Sequence, residues 1–137
     1  MSDVVCGLAA LGDHQAALEV CRKAAEGDPN CEQSLYAVAY YMARCGYPTE
    51  FVIPVMHHVV KLAPRELRFR VALGMLQMAA GENDLAYRIM REVSRPQLAS
   101  LSCTRCLYQF ADLFGSRGDE HRRCVCLLRA RALREDV

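Results

Sequence analysis

Two close pairs of thiols, Cys103-x-x-Cys106 and Cys124-x-Cys126, are the first residues whose type and spacing suggest chemistry. Four soft sulfur ligands at such intervals could hold zinc or an iron–sulfur cluster. Other features of the sequence weigh against that. Cys103 falls in register with Leu107, Phe110 and Phe114 at i, i+4, i+7 and i+11, as a core residue of a helix would. Cys124 and Cys126 are two apart and so diverge on a helix. Cys6, Cys31 and Cys45 belong to no ligand-like pair. The cysteines are therefore read as small buried hydrophobes, cytoplasmic and reduced, and no metal or other cofactor is expected. A redox C-x-x-C is disfavoured as well, because no βαβ pattern surrounds it. A metal- or redox-dependent protein built on Cys103, Cys106, Cys124 and Cys126 stands as the alternative from a different functional class.

The remaining chemistry-bearing residues are scattered. His57 and His58 are adjacent and diverge on a helix, and no His-Glu-x-x-His pattern is present. His121 and Cys124 lie three apart, but a coincidence on a helix surface is the favoured reading. There is no glycine-rich phosphate loop, no serine-centred nucleophile elbow and no carboxylate pair identifiable by spacing. The chain is read as a non-enzyme. Arg122, Arg123, Arg129, Arg131 and Arg134 crowd the last stretch, yet Glu120, Glu135 and Asp136 offset them and no aromatic is interleaved. Nucleic-acid binding is disfavoured accordingly, as it is by a net charge of only +1. The charge is uneven: residues 1–64 carry 4 basic and 7 acidic side chains, residues 65–137 carry 13 and 9. The second half therefore suits an acidic partner better than the first. No 18-residue apolar run or signal-peptide pattern is found, so neither a membrane span nor secretion is expected.

The elements that would position these residues follow a period. Gly12, Gly46, Gly81 and Gly118 are 34, 35 and 37 residues apart, a step that fits a helix–turn–helix unit with a connector. Leu35, Val38, Ala39 and Met42 fall at i, i+3, i+4 and i+7. Phe69, Ala72, Leu73 and Leu76 do the same, as do Leu107, Phe110, Ala111 and Phe114. Each set is the stripe of a helix packed on one face. A glycine just past such a stripe can end the helix in the left-handed conformation. Asp13, Asn83 and Asp119 can then cap the next helix, while Pro29 and Pro64 stop continuation. The expected fold is all-α: about 7–8 helices in antiparallel helix–turn–helix repeats. They would form a single domain of about four degenerate units, approximately 1–30, 31–65, 66–99 and 100–137.

In Leu73-Gly74, Gly81, Ala86, Met90 and Val93, and in Gly12, Ala17, Cys21, Ala24 and Pro29, the chain resembles the tetratricopeptide repeat family. The resemblance implies a superhelical array in which a small residue, here Ala17 or Ala86, lets paired helices approach. It departs from the pattern at Phe51 or Val52 and at Arg123 or Cys124, where the small residue belongs. It also departs at Pro54, which should kink its helix unless that helix starts late, and in a first helix cut short near Ser2. The resemblance implies further that the first helices of the units line a concave face. Two of them carry a second apolar stripe: Tyr36, Tyr40 and Ala43, then Val71, Met75 and Met78, each at i, i+4 and i+7. Gln33, Arg44 and Arg68 flank the stripe, and Arg105, Tyr108 and Asp112 follow in the fourth unit. The function read from this is recognition of a partner protein, with an extended peptide or helix held in a concave apolar groove. The groove comprises Gln33, Tyr36, Tyr40, Arg44, Arg68, Val71, Met75, Met78 and Arg105, and an acidic group would sit near Arg68 or Arg105. The clamp by which one subclass holds acidic chaperone termini maps to Ser2, Cys6, Ala37, Arg68 and Ala72, of which only Arg68 fits. Pro64-Arg65, Leu76-Gln77 and Gly81-Glu82 are loosely similar to type III secretion chaperones, the second reading of the same groove. Val125, Leu128 and Ala132 of the last helix could cap the array or pair two copies.

Overall fold

The computed structural model describes residues 12–135, and among these every regular element is a helix. The short helix expected near Ser2, the clamp positions Ser2 and Cys6, and the counter-charge Asp136 lie outside the described residues. The helices are α1 (His14–Gly27), α2 (Glu32–Arg44), α3 (Thr49–Leu62), α4 (Leu67–Ala79), α5 (Asn83–Met90), α6 (Arg95–Leu98), α7 (Thr104–Ser116) and α8 (Glu120–Glu135). They fall into two compact units, one ending at Ala80 and the other beginning at Gly81. No helix among the described residues is long and apolar enough to cross a membrane.

In the first unit α1 packs on α2, α2 on α3 and α3 on α4. Each stripe read from the sequence turns inward: Val38, Ala39 and Met42 from α2, Phe69 and Leu73 from α4, all 8% exposed or less. Leu18 and Cys21 of α1 and Val52, Met56 and Val59 of α3 complete the core. Burying a side chain the size of Phe69 or Leu73 contributes about 1.5–3 kcal/mol. The turns are set locally. Asp13 accepts the Ala16 N–H at 3.0 Å and starts α1. Gly46 takes φ +83°, in the left-handed region that residues with a side chain rarely adopt, and reverses the chain after α2.

Two departures of α3 from the repeat pattern can be placed. The helix begins early, at Thr49, and runs through Pro54. Proline there forgoes the one bond its N–H would have given to the preceding turn. The position expected to hold a small residue is filled by Val52 at 1% exposure, while Phe51 points outward, 57% exposed.

In the second unit α7 and α8 form the main hairpin, reversed at Gly118 with φ +73°. Leu107, Phe110, Ala111 and Phe114 are buried on α7, against Cys126 and Ala130 of α8. Arg123, expected to obstruct the close approach, is accommodated from the other side. A Cβ on Gly115 of α7 would lie 3.0 Å from the Arg123 Cδ, so the small residue has moved to the facing helix. The helix after Gly81 is shorter than the repeat implies. It ends at Met90, and a new turn, α6, starts at a capping box between Ser94 and Gln97 with Pro96 in its first turn. Asn83 is not a cap, because the helix starts one residue earlier and Asn83 is its first residue. Asp119 does cap: it accepts the Arg122 N–H at 3.3 Å.

Arginines of α8 stitch this unit together. Arg122 donates to the carbonyls of Arg91 at 2.7 Å and Val93 at 3.2 Å and pairs with Asp119 at 3.2 Å. Arg129 donates to the Leu101 carbonyl at 2.9 Å, Arg123 pairs with Glu120, and Arg134 reaches the Tyr108 hydroxyl. The run that drew attention to polyanions in the sequence is thus largely spent on the protein's own backbone and side chains. Charged donors to otherwise unpaired carbonyls are worth about 1.5–3 kcal/mol. Arg122→Ala is expected to lose about 2 kcal/mol of stability in denaturant unfolding, with Arg122→Lys recovering part of it. An unchanged midpoint would show that the carbonyls of Arg91 and Val93 do not depend on Arg122.

Candidate functional site

Helices α2 and α4 carry the predicted groove residues of the first unit, and Gln33, Tyr36, Tyr40, Arg44 and Arg68 among them fall into two adjacent clusters. Arg68 donates to the Gln33 amide oxygen at 3.1 Å and lies over the Tyr36 ring at 5.1 Å and the Phe69 ring at 4.9 Å. Tyr36 in turn packs against Phe69, with ring centroids 5.1 Å apart. One helical turn further along α2, Arg44 donates to the Tyr40 hydroxyl at 3.1–3.2 Å and covers that ring at 5.3 Å. Their spacing explains this: Gln33, Tyr36, Tyr40 and Arg44 sit three or four residues apart, along one face of α2.

Tyr36, Tyr40 and Ala43 line a hollow with Ala72 and Leu76 of α4, floored by Ala39, Val52 and Met56. Its volume is about 130 Å³ and its walls are almost wholly apolar. From α4 it is thus Ala72 and Leu76, assigned in the sequence to the packing stripe, that face this hollow. Val71, Met75 and Met78 are half-buried and do not line it. Arg105 is exposed on α7 in the second unit.

Charge gives this hollow its character. Arg44 and Arg68 are both exposed, and neither forms an ion pair among the described residues. Stacked on tyrosine, each guanidinium keeps part of its donor fork free for a carboxylate. A second, wider hollow of about 600 Å³ lies at the α2–α3 turn, lined by Arg22, Met42, Gly46, Tyr47, Pro48 and Phe51. The sequence reading passed it over, since it treated Phe51 only as a flaw in the repeat. Arg22 at its rim is already engaged, with Glu19 at 3.2 Å and the Tyr47 hydroxyl at 3.0 Å.

Cys103, Cys106 and Cys124 depart from the reading of the cysteines as buried, reduced residues. Cys103 is exposed at the N-cap of α7, not in the core stripe, and is disulfide-bonded to Cys106. Its register with Leu107 was genuine, but the helix begins only at Thr104, so the cap falls outside the buried turn. Cys124 is exposed and Cys126 buried, and no three His, Cys, Asp or Glu side chains converge as a metal-binding group among the described residues. Cys21 is buried too, and desolvation pushes its thiol up. Cys31 occupies the N-cap position of α2 without a backbone cap bond; the Ser34 hydroxyl donates to its sulfur at 3.4 Å and holds the thiol below its ordinary range.

No protein-family profile matches this sequence, and no curated protein sequence does. Solved structures do match. A MamA structure from Desulfovibrio magneticus RS-1, running from residue 41 to the end, superposes with a TM-score of 0.75 at 17% identity. It covers 96% of this chain and 72% of that one. An RS-1 MamA double mutant gives 0.76 at 17% identity with the same coverages. Another MamA crystal structure gives 0.72 at 16%, covering 95% of this chain and 74% of that one. At such identities the likeness is one of fold, and the fold is tetratricopeptide-like.

Burial, with the Asp119 charge added, pushes the Cys126 thiol up to about 11. A raised value means the neutral thiol persists as pH climbs through the ordinary thiol range and gives way only near the higher figure. In native protein at pH 8, iodoacetamide is expected to modify Cys31 at least about tenfold faster than Cys126, the difference vanishing in denaturant. Equal native rates would contradict the burial of Cys126.

Proposed function

We propose that this chain, an array of tetratricopeptide-like fold, is a protein–protein interaction module rather than an enzyme. Its ligand is a peptide segment of another protein, carrying one apolar anchor residue flanked by acidic side chains. The observation that carries this reading is the pair of unneutralised guanidiniums, Arg44 and Arg68, bracketing the apolar hollow between Tyr36 and Tyr40. A hollow of about 130 Å³ takes roughly one aliphatic side chain. The anchor would release apolar surface from water, and the flanking carboxylates would meet charge-assisted donors held in place by stacking. The wider hollow at Phe51 offers more room but no free cation, because Arg22 is already paired with Glu19.

A displayed library of random peptides, selected against the immobilised protein, tests this. Enriched sequences are expected to place Leu, Ile or Met beside Asp or Glu. Binding of a selected peptide should fall about tenfold or more in Arg68→Glu, as loss of one charge-assisted contact implies. Tyr40→Glu, with its helical spectrum intact, should abolish it. Enrichment of basic peptides, or selected peptides indifferent to both substitutions, would move the site elsewhere.

A further inference from the structure

The pair Cys103-Thr104-Arg105-Cys106 is placed as a reactive dithiol rather than a staple. A bridge three residues long closes almost no chain, so it removes little entropy from the unfolded state and has little structural purpose. Its position, by contrast, is chemically specific. Cys103 is the N-cap of a thirteen-residue helix, α7, with its sulfur exposed. Cys106 lies one turn on, half-buried, its Cα 5.3 Å from that of Cys103. The Cys106 backbone N–H donates to the Cys103 sulfur at 3.2 Å. The first turn holds no acidic residue and presents Arg105 between the two thiols. A thiolate at Cys103 would thus meet a backbone donor and the positive end of the helix.

The chain contains its own comparison. Cys31 stands at the start of α2 as Cys103 stands at the start of α7, and three residues on, where α7 has Cys106, α2 has Ser34. Ser34 donates its hydroxyl to the Cys31 sulfur at 3.4 Å. The two positions share their extended backbone, but only Cys103 accepts a backbone cap bond and only it has a second thiol with which to close a disulfide.

We infer that Cys103 and Cys106 form a thiol–disulfide exchange centre that passes two electrons to and from a dithiol. In the reducing direction a thiolate of the dithiol attacks the accessible Cys103 sulfur. The Cys103–Cys106 bond breaks, and its electron pair leaves on Cys106, which takes up a proton. The mixed disulfide is then attacked by the dithiol's second thiolate, which closes the dithiol's own disulfide and expels Cys103 as thiolate. The protein gains two electrons, one proton at Cys106 and a second from water when the Cys103 thiolate is protonated; the dithiol loses two electrons, its two protons passing to water as its thiols ionise, and each step reverses for oxidation.

The test uses the whole chain, equilibrated in graded mixtures of reduced and oxidised dithiothreitol, acid-quenched, alkylated and mapped by mass spectrometry. Cys103 and Cys106 are expected to lose alkylation together in one two-electron transition while Cys31 stays alkylated throughout. In the reduced protein Cys103 should alkylate about tenfold faster than Cys106. With glutathione disulfide, Cys106→Ser should hold a stable adduct at Cys103, whereas wild type should release it. The inference is overturned if the two thiols remain alkylated at every ratio or if the bond resists every ratio. It is overturned equally if Cys103 pairs with another cysteine, or if the Cys106→Ser adduct is no longer-lived than that of wild type. A helical spectrum recorded in both redox states separates exchange from unfolding.

Discussion

A helix with one apolar stripe is stable only when another helix covers that stripe. Here the cover comes from the next helix in the chain, so everything depends on reversing direction within three or four residues. Gly46 and Gly118 perform that reversal inside the two hairpins α2–α3 and α7–α8, with φ values no side chain adopts without strain. The same conformation recurs at Gly12 and Gly81, ahead of α1 and α5. A Cβ at any of the four would meet no neighbouring atom. The requirement is therefore purely one of backbone conformation, which is why the residue recurs while its surroundings change.

Reversal fixes which residues are left at the helix starts and on the faces turned away from the partner. At the starts, short side chains take up orphan backbone donors: Asp13, Ser94, Asp119 and, with sulfur in place of oxygen, Cys103. On the outward faces, the residues of α2 three and four apart assemble Gln33, Tyr36, Tyr40 and Arg44 into one row. The proposed recognition and redox chemistry would then arise from the same local geometry, one on a helix flank and the other on a helix end. The arginines illustrate how position divides otherwise similar residues. Arg122 and Arg129 find carbonyls left open by the connectors around α6 and become structural. Arg44 and Arg68 find only aromatic rings and one amide, and retain donors for a ligand.

The fold was legible because its signals are local and periodic: the spaced glycines, the i, i+3, i+4, i+7 stripes and the prolines that end α1 and α3. What the sequence hid depends on relations between helices. Gly115 could be recognised as the small residue opposite Arg123 only once α7 faced α8. The hollow's α4 wall is Ala72 and Leu76, residues that also fit the packing stripe, and periodicity cannot tell a residue at the stripe's edge from one at its centre. Cys103 was misread by a single residue of helix boundary: one position inside α7 it would be core, and at the cap it is exposed. Tyr36 and Tyr40 could be grouped from the sequence because α2 alone spaces them, and Arg68, at the start of α4, meets the Tyr36 ring.

The central claim is that the Tyr36–Tyr40 face of α2, with its two free guanidiniums, is where a partner peptide sits. Amide and methyl chemical shifts recorded while a capped peptide of Leu between two Asp residues is titrated in would test it most directly. The account predicts saturable shifts concentrated at Tyr36, Tyr40, Ala43, Ala72 and Leu76, with the Arg44 and Arg68 side-chain signals moving in step. Shifts centred on Tyr47 and Phe51, or spread without saturation, would contradict it.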